Sequence, residues 1–508
     1  MVEGSPVETA RLLKAVRPRA VRGAVPPVVT GIRFDSRRVN PGDLFVAVPG
    51  FKTDGARFIP EALARGAVGV VVRTGVPVQA PFVVEVDDPR AALADLAAAF
   101  YGYPSRALRV VGVTGTDGKT TTCHLIGRLL RAAGYRAAVL TTVYTSIDAD
   151  EQPSPFNHTT PEAPDLQAWL AGAVRAGAAY AVIEVSSHAL ALHRVRGIEF
   201  DAAVLTNLTP EHLEFHGTFE AYRAAKARLF EALGSGLKAG PKFGVVNADD
   251  PSADHFRRAC PAGIVDYAQD RSDVSVSARV LELRADRSRF EVRLADGRRY
   301  EITSRLPGRF NVYNWLAAIG ALYGLGLDLD FLPQAAPAVG PVPGRLTEID
   351  AGQPFRVVVD FAHTPAALET VLETLRAQRP RRVAVVLGHA GGRDPQNRPR
   401  LAGVAGRLAD FVVITMDDPY DEDPAGIAAV MAAALEADGR QPGRDFEVIL
   451  DRRAAIARAL AWAQPGDLVL IAGRGHEQFI PVAGRRSEER RVGKECRTVC
   501  RSRWSPYH

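Results

Sequence analysis

Short runs of apolar residues without polar alternation recur along the chain, separated by longer Ala-rich stretches. Such runs are VGVVV (68–72), RVVGVTG (109–115), YAVIEVS (180–186), AAVLTNL (202–208), FGVVN (243–247), RVVVDFA (356–362), RVAVVLG (382–388), FVVITMD (411–417) and DLVLIAG (467–473). A strand that is apolar on both sides must be covered on both faces, which predicts mostly parallel sheets layered with helices, an α/β fold. Pro and Gly cluster at YGYPSRALR (101–109) and at APAVGPVPGR (336–345) and mark breaks between domains. At 508 residues the chain exceeds what one ordinary core serves, and the breaks predict three domains, residues 1–106, 107–341 and 342–485. No internal repeat of fixed period is visible.

Composition changes this picture at one end. Lys and Arg number 63 against 58 Asp and Glu, and the surplus lies after residue 484, where eight basic and three acidic side chains fall; without them 55 of each sign remain. The basic character is therefore no mark of a nucleic-acid-binding body. The segment 486–508 has no apolar period, holds Cys496 and Cys500, and resembles a translated sequencing adapter, so it is expected to be a non-native tail. Cys123 and Cys260 stand apart from one another and from paired His, which fits reduced, structural thiols. No run approaches the ~18 apolar residues of a membrane helix, and the amino terminus lacks a signal-peptide core, so the expected location is cytoplasmic, with no membrane or nucleic-acid partner.

The strongest chemical signal is RVVGVTGTDGKTTTCHLIGRLL (109–130), an apolar strand, a Gly-containing turn, then Lys119 and Thr120 opening an amphipathic helix. Backbone N–H groups of such a turn and the helix N-terminus suit a polyphosphate, Lys119 neutralises it, and the Thr120 hydroxyl suits Mg²⁺. Val113 stands where the strict phosphate-loop pattern has its first Gly. Residues 114–121 are the expected nucleotide contacts: Thr114, Gly115, Thr116, Asp117, Gly118, Lys119, Thr120 and Thr121.

TGTDGKTT (114–121) resembles the TGTNGKTT of the Mur ligases, with Asp117 in place of Asn. The likeness runs in that family's order from Asp35 to Glu477 and is to its MurE type. It implies a P-loop-type central ATPase domain, a Rossmann-like C-terminal domain, and an ATP-dependent, ADP-forming ligase. The implied reaction adds a third amino acid to UDP-N-acetylmuramoyl-L-Ala-D-Glu through an acyl phosphate, with ATP, Mg²⁺ (two ions) and a monomeric enzyme. Ser36 and Arg37 of DSRRVNPGD match uridine-nucleotide positions, and Thr159 and Thr160 of HTTPEAPDL match a hydroxyl pair that meets the dipeptide. In IEVSSHALALHRV (183–195), Glu184 suits Mg²⁺, while Ser186 and Arg194 match substrate positions; Leu192 stands where some members have Gln. His212 of TNLTPEHLEFHGT matches a metal-binding His. Lys226 matches a lysine that CO₂ carbamylates, turning a repelling ammonium into an oxygen ligand for a hard cation.

Further along, Asn311 and Asn314 match ATP contacts, although Asn near a helix start is also a common cap. Arg345, Asp360 and His363 match the third-domain groups that border the nucleotide. For the incoming amino acid the resemblance implies Arg393, Asp417, Asp418, Tyr420, Gly473 and Glu477, of which Arg393 and Glu477 suit meso-diaminopimelate, whereas the charge of Asp418 suits the terminal ammonium of lysine. Asp418 and Tyr420 depart from the family's DNPR, which leaves an L-lysine-adding relative as the alternative. A folylpolyglutamate synthase-like ligase and a non-catalytic precursor-binding regulator are further alternatives; the presence of Lys119, Glu184, His212, Lys226 and Asp360 speaks against the last.

Overall fold

The structure, a computed structural model, describes residues 5–50, 53–156, 158–475, 480–482 and 485–487. Glu477 and the stretch 488–508 of the expected tail lie outside the described residues. Three open sheets succeed one another along the chain. The first has five strands in the order Ala20–Gly23, Phe82–Val86, Gly69–Arg73, Asp43–Val46, Gly31–Arg33, all parallel except at the Ala20–Gly23 edge. The third has six, in the order Thr347–Glu348, Arg356–Val359, Leu468–Ile471, Val383–Leu387, Phe411–Ile414, Phe446–Val448, again antiparallel only at the first pair.

The central sheet has eleven strands. Its middle is parallel, with Ala137–Leu140, Tyr180–Glu184, Arg109–Thr114, Ala202–Leu205, Phe243–Asn247 and Gly263–Gln269 side by side. Neighbouring residues of one strand enter different cores: Val111 and Val113 pack with the helices Lys119–Ala132 and Arg309–Gly324, whereas Val110 packs on the opposite face with Phe200 and Leu229. Unbroken apolar runs are what such a doubly covered strand requires. The antiparallel ends were not legible in those runs. A hairpin of Tyr144–Ile147 and Asp150–Pro153 closes one end, and the meander Val276–Leu283, Ser288–Leu294, Arg299–Ser304 closes the other. The meander strand Ser288–Leu294 alternates buried with half-exposed or exposed residues, since only one of its faces is covered.

All nine apolar runs contain a strand. Most of the runs outlast their strands at the carboxyl end, as Gly115 follows Thr114 and Val185 and Ser186 follow Glu184. Asp360–Ala362 likewise follow Val359, and Thr415–Asp417 follow Ile414. Those overhanging residues line the carboxyl edges, where open α/β sheets bind ligands. Arg486 and Ser487 pair with Ile480 and Pro481 in a two-stranded ribbon, so the expected tail begins within described structure. Among the described residues no helix is long and apolar enough to cross a membrane.

Candidate active site

The chain leaves the central strand at Thr114 and enters the helix at Lys119 through two glycines whose backbones need positive φ, Gly115 at 145° and Gly118 at 79°. Neither tolerates a side chain. A Cβ on Gly115 would fall 1.9 Å from Thr206 Oγ1, and one on Gly118 would fall 2.2 Å from Asn314 Oδ1. The loop is pinned further by Thr206 Oγ1, which donates to Asp117 O at 2.6 Å, and by the Asp117 N–H, which donates to Asn207 Oδ1 at 3.0 Å. Lys119 Nζ lies over the loop, 3.1 Å from Gly115 O and 2.6 Å from Thr116 O. Thr114 is fully buried in the strand end and borders none of the clefts described below.

Beside the loop, Thr120 Oγ1 donates to Glu184, 3.0 Å from each carboxylate oxygen, and the Thr142 N–H donates to Glu184 Oε2 at 2.9 Å. Lys226, only 2 % exposed, donates to Gly115 O at 2.6 Å and lies 4.6 Å from the centre of the Tyr222 ring. Burial, with repulsion from Lys119, pushes its amine well below the ordinary lysine range. Thr159 borders the same pocket. Thr160 is spent internally: its hydroxyl donates to Glu184 O at 2.8 Å and accepts from the Ser186 N–H at 3.0 Å. Ser186 caps its own short helix by accepting from the Ala189 N–H at 3.2 Å. Arg194 donates to Thr160 O at 3.1 Å and pairs with Glu162 at 2.8 Å.

Hard oxygen donors on Thr120 and Glu184 fit Mg²⁺. Among the described residues, however, no group of three or more His, Cys, Asp or Glu is disposed to hold a metal ion. A carbamate on Lys226 would add the missing anionic oxygen, and the burial that lowers its pKa favours the neutral amine that reaction with CO₂ requires. His212 occupies a left-handed position, φ 56°, between two carboxylates, Glu211 at 3.6 Å from Nε2 and Glu214 at 3.4 Å from Nδ1.

The third sheet closes this pocket from above. Asp360 accepts from the N–H groups of Leu346 (2.7 Å) and Ala362 (2.8 Å), stapling the Arg345 turn to the strand end. Arg345 lies 4.4 Å from the Phe361 ring centre and reaches to 3.5 Å from Thr120 Oγ1. Asn311 and Asn314 are not caps, because the helix begins at Arg309 after Gly308; Asn314 Nδ2 instead donates to Asn311 Oδ1 at 3.0 Å. With Asp117, Gly118, Thr121, Arg345, Asp360 and His363 they line one cleft between the sheets, floored by Phe310, Val342 and Leu346. A flat apolar floor with polar edges suits a nucleoside base.

A further pocket opens on the other side of His363, lined by Arg393, Asp417, Asp418, Tyr420 and Gly473. The charge of Asp418 is not free there: Arg474, 3 % exposed, makes ion pairs with Asp418 and, at 3.2 Å, with Asp417. Tyr420, 42 % exposed, takes a left-handed backbone at φ 51°. Arg393 lies 3.4 Å from Glu214 and 3.3 Å from His212 Nδ1.

Ser36 and Arg37 lie apart from these pockets, in a 3-10 turn, Ser36–Arg38, that follows the first sheet's Gly31–Arg33 strand. The Ser36 hydroxyl is buried and donates to Glu61 at 2.7 Å, while Arg37 is paired with Asp35 at 2.8 Å. Sequence reasoning missed Glu211 and Arg474, although Glu211 stands in the quoted TNLTPEHLEFHGT and Arg474 directly follows Gly473. Adjacency to His212 and Gly473 was the available signal; burial and pairing, which reveal their weight, are tertiary facts.

Comparisons with known proteins agree with this geometry. Residues 28–101 match the family model "Mur ligase family, catalytic domain", 113–322 match "Mur ligase middle domain" and 344–475 match "Mur ligase, glutamate ligase domain". A UDP-N-acetylmuramyl-tripeptide synthetase of Roseiflexus sp. (strain RS-1) is 44% identical over 478 residues, covering 90% of this chain and 91% of that protein. A UDP-N-acetylmuramoyl-L-alanyl-D-glutamate--2,6-diaminopimelate ligase of Geobacillus thermodenitrificans is 43% identical over 461 residues, covering 90% and 92%. A solved structure of a ligase of that same name is 32% identical and superposes with a TM-score of 0.65 over 98% of this chain and 99% of its own. A glycine-bearing strand-to-helix turn, a buried Glu184 and Lys226 beside it and a third domain closing over them thus occur in a chain that aligns along nine-tenths of its length with these enzymes, and it belongs to the Mur ligase family of ATP-dependent ligases.

Proposed function

We propose that the chain joins meso-diaminopimelate to the D-glutamate of UDP-N-acetylmuramoyl-L-Ala-D-Glu at the expense of ATP. The observation that carries this reading is the meeting of a phosphate loop with a separate, charged pocket across His363. A carboxylate oxygen of D-glutamate attacks the γ-phosphorus, ADP leaves, and an acyl phosphate results. The amine nitrogen then attacks the acyl carbon, inorganic phosphate leaves, and the nitrogen loses its proton to give the amide. Lys119 neutralises the phosphates, and Arg345, reaching across to Thr120, faces the transferring phosphoryl group. Thr120, Glu184, carbamylated Lys226 and His212 would hold Mg²⁺, which would supply charge neutralisation on the phosphate oxygens. The base lies in the cleft of Asn311 and Asn314, bordered by Asp360 and His363. Thr159, Ser186 and Arg194 border the dipeptide, and Ser36 and Arg37 the uridine nucleotide.

Arg393, Asp417, Asp418, Tyr420, Gly473 and Glu477 receive the amino acid. The name of the Geobacillus relative supports meso-diaminopimelate. L-Lysine is the second reading, favoured by Tyr420, which supplies no cation for a distal carboxylate. The pairing of Asp418 with Arg474 weakens it, because that carboxylate already has a cationic partner. ATP as substrate and the free thiols of Cys123 and Cys260 fit a cytoplasmic location. Mass spectrometry of the product formed from the UDP-dipeptide, ATP and Mg²⁺ with meso-diaminopimelate and L-lysine in competition tests the assignment. Exclusive incorporation of L-lysine overturns the amino acid, and absence of any UDP-tripeptide overturns the reaction.

A further inference from the structure

The phosphate pocket and the amino-acid pocket share one wall, made of Glu211, His212, Phe361, His363 and Arg393. Two of these belong to the central sheet's loops and three to the third domain, so the wall exists only while the domains are closed on one another. Glu211 is its one acidic member. Its side chain is 11 % exposed, and Oε1 lies 3.3 Å from His363 Nε2 across the domain junction and 3.6 Å from His212 Nε2 on its own side.

The stretch that carries Glu211 is fixed to the nucleotide loop. Thr116 Oγ1 donates to Thr209 O at 3.1 Å and accepts from the Thr209 N–H at 3.0 Å, while the Leu208 N–H donates to Asp250 at 2.6 Å. On the far side His363 is fixed to its own strand end, its Nδ1 3.1 Å from Phe361 O. The Glu211–His363 contact at 3.3 Å therefore links two rigid supports, one beside the phosphate pocket and one beside the amino-acid pocket.

We propose that Glu211 is a positioning residue that couples the two half-reactions: by gripping His363 it keeps the amine pocket sealed against the phosphate pocket, so that the amine and not water meets the acyl phosphate. This rests on the ligase reading above. Water attacking the same acyl carbon would release inorganic phosphate and regenerate the D-glutamate carboxylate, consuming ATP without product. Loss of the grip thus shows as uncoupling, which a merely structural role would not produce.

The test counts ADP and amide product in the same reaction, using the full chain with UDP-dipeptide, ATP, Mg²⁺ and meso-diaminopimelate. Wild type is expected to give one ADP per amide. Glu211→Gln, which keeps shape and removes charge, is expected to slow amide formation by about tenfold or more while ADP release falls less, so that ADP exceeds amide. His363→Gln breaks the pair from its more exposed side, reports on it even if Glu211→Gln folds poorly, and is expected to show the same excess. The double variant should be no more uncoupled than the worse single. One ADP per amide in both single variants, at whatever rate, overturns the proposal, as do losses that multiply in the double variant. Wild type that releases no precursor-dependent ADP overturns the ligase reading instead.

Discussion

Replacing Tyr420 by Arg tests how the third amino acid is selected. Tyr420 lines the pocket that holds Arg393, and its φ of 51° is equally strained for either side chain, so the exchange leaves the backbone cost unchanged. Asp417 and Asp418 share the one guanidinium of Arg474, so a new guanidinium divides its charge between them and the substrate carboxylate. A charge-assisted hydrogen bond contributes about 1.5–3 kcal/mol, and the 42 % exposure of this position argues for the lower end. That is about tenfold in affinity. The expected outcome is a rise of about that size in kcat/KM for meso-diaminopimelate, with L-lysine, which lacks the distal carboxylate, no better. Initial rates of phosphate release with each amino acid varied in turn supply the measurement. An unchanged ratio of the two kcat/KM values would refute the view that position 420 faces the distal carboxylate.

Lys119→Ala should abolish turnover and leave the melting temperature near wild type, because it removes a phosphate-neutralising charge and no core volume; near-normal phosphate release would exclude the loop as the ATP site. Lys226→Ala should lose most activity and recover part of it with formate or acetate. Burial and Lys119 lower the Lys226 pKa and so favour the neutral amine that CO₂ requires, whereas acid protonates it and disfavours the carbamate, so activity of the wild type should fall with acid and recover with bicarbonate. Gly118→Ala puts a Cβ against Asn314 in a positive-φ position and should weaken ADP binding by about tenfold or more, read by calorimetry. Asp360→Ala strands the N–H groups of Leu346 and Ala362, each worth about 1–3 kcal/mol, and should lower both the melting temperature and kcat.

Unbroken apolar runs told the parallel α/β layers directly, since a strand covered on both faces has no polar side to alternate with. The runs also overreached their strands into the carboxyl-edge loops, and that surplus held Gly115, Ser186, Asp360 and Asp417. The antiparallel ends stayed hidden, because one-sided strands such as Ser288–Leu294 carry a weaker, alternating signal. TGTDGKTT declared the nucleotide loop because its chemistry is local: a turn, two glycines, one lysine and a helix start lie within eight residues.

Other properties belong to the folded molecule alone. Lys226 on a helix reads as an ordinary solvated lysine; only its burial in the fold, beside Lys119, pushes its amine well below the ordinary lysine range. Asp418 reads as an added negative charge until Arg474, 56 residues further on, neutralises it. Glu211 draws no notice beside His212 until His363, from another sheet, reaches it. Sequence decides what is local, the periodicity of burial and the turn that cradles phosphate. Desolvation and charge pairing depend on which distant segments meet, and those the tertiary structure decided.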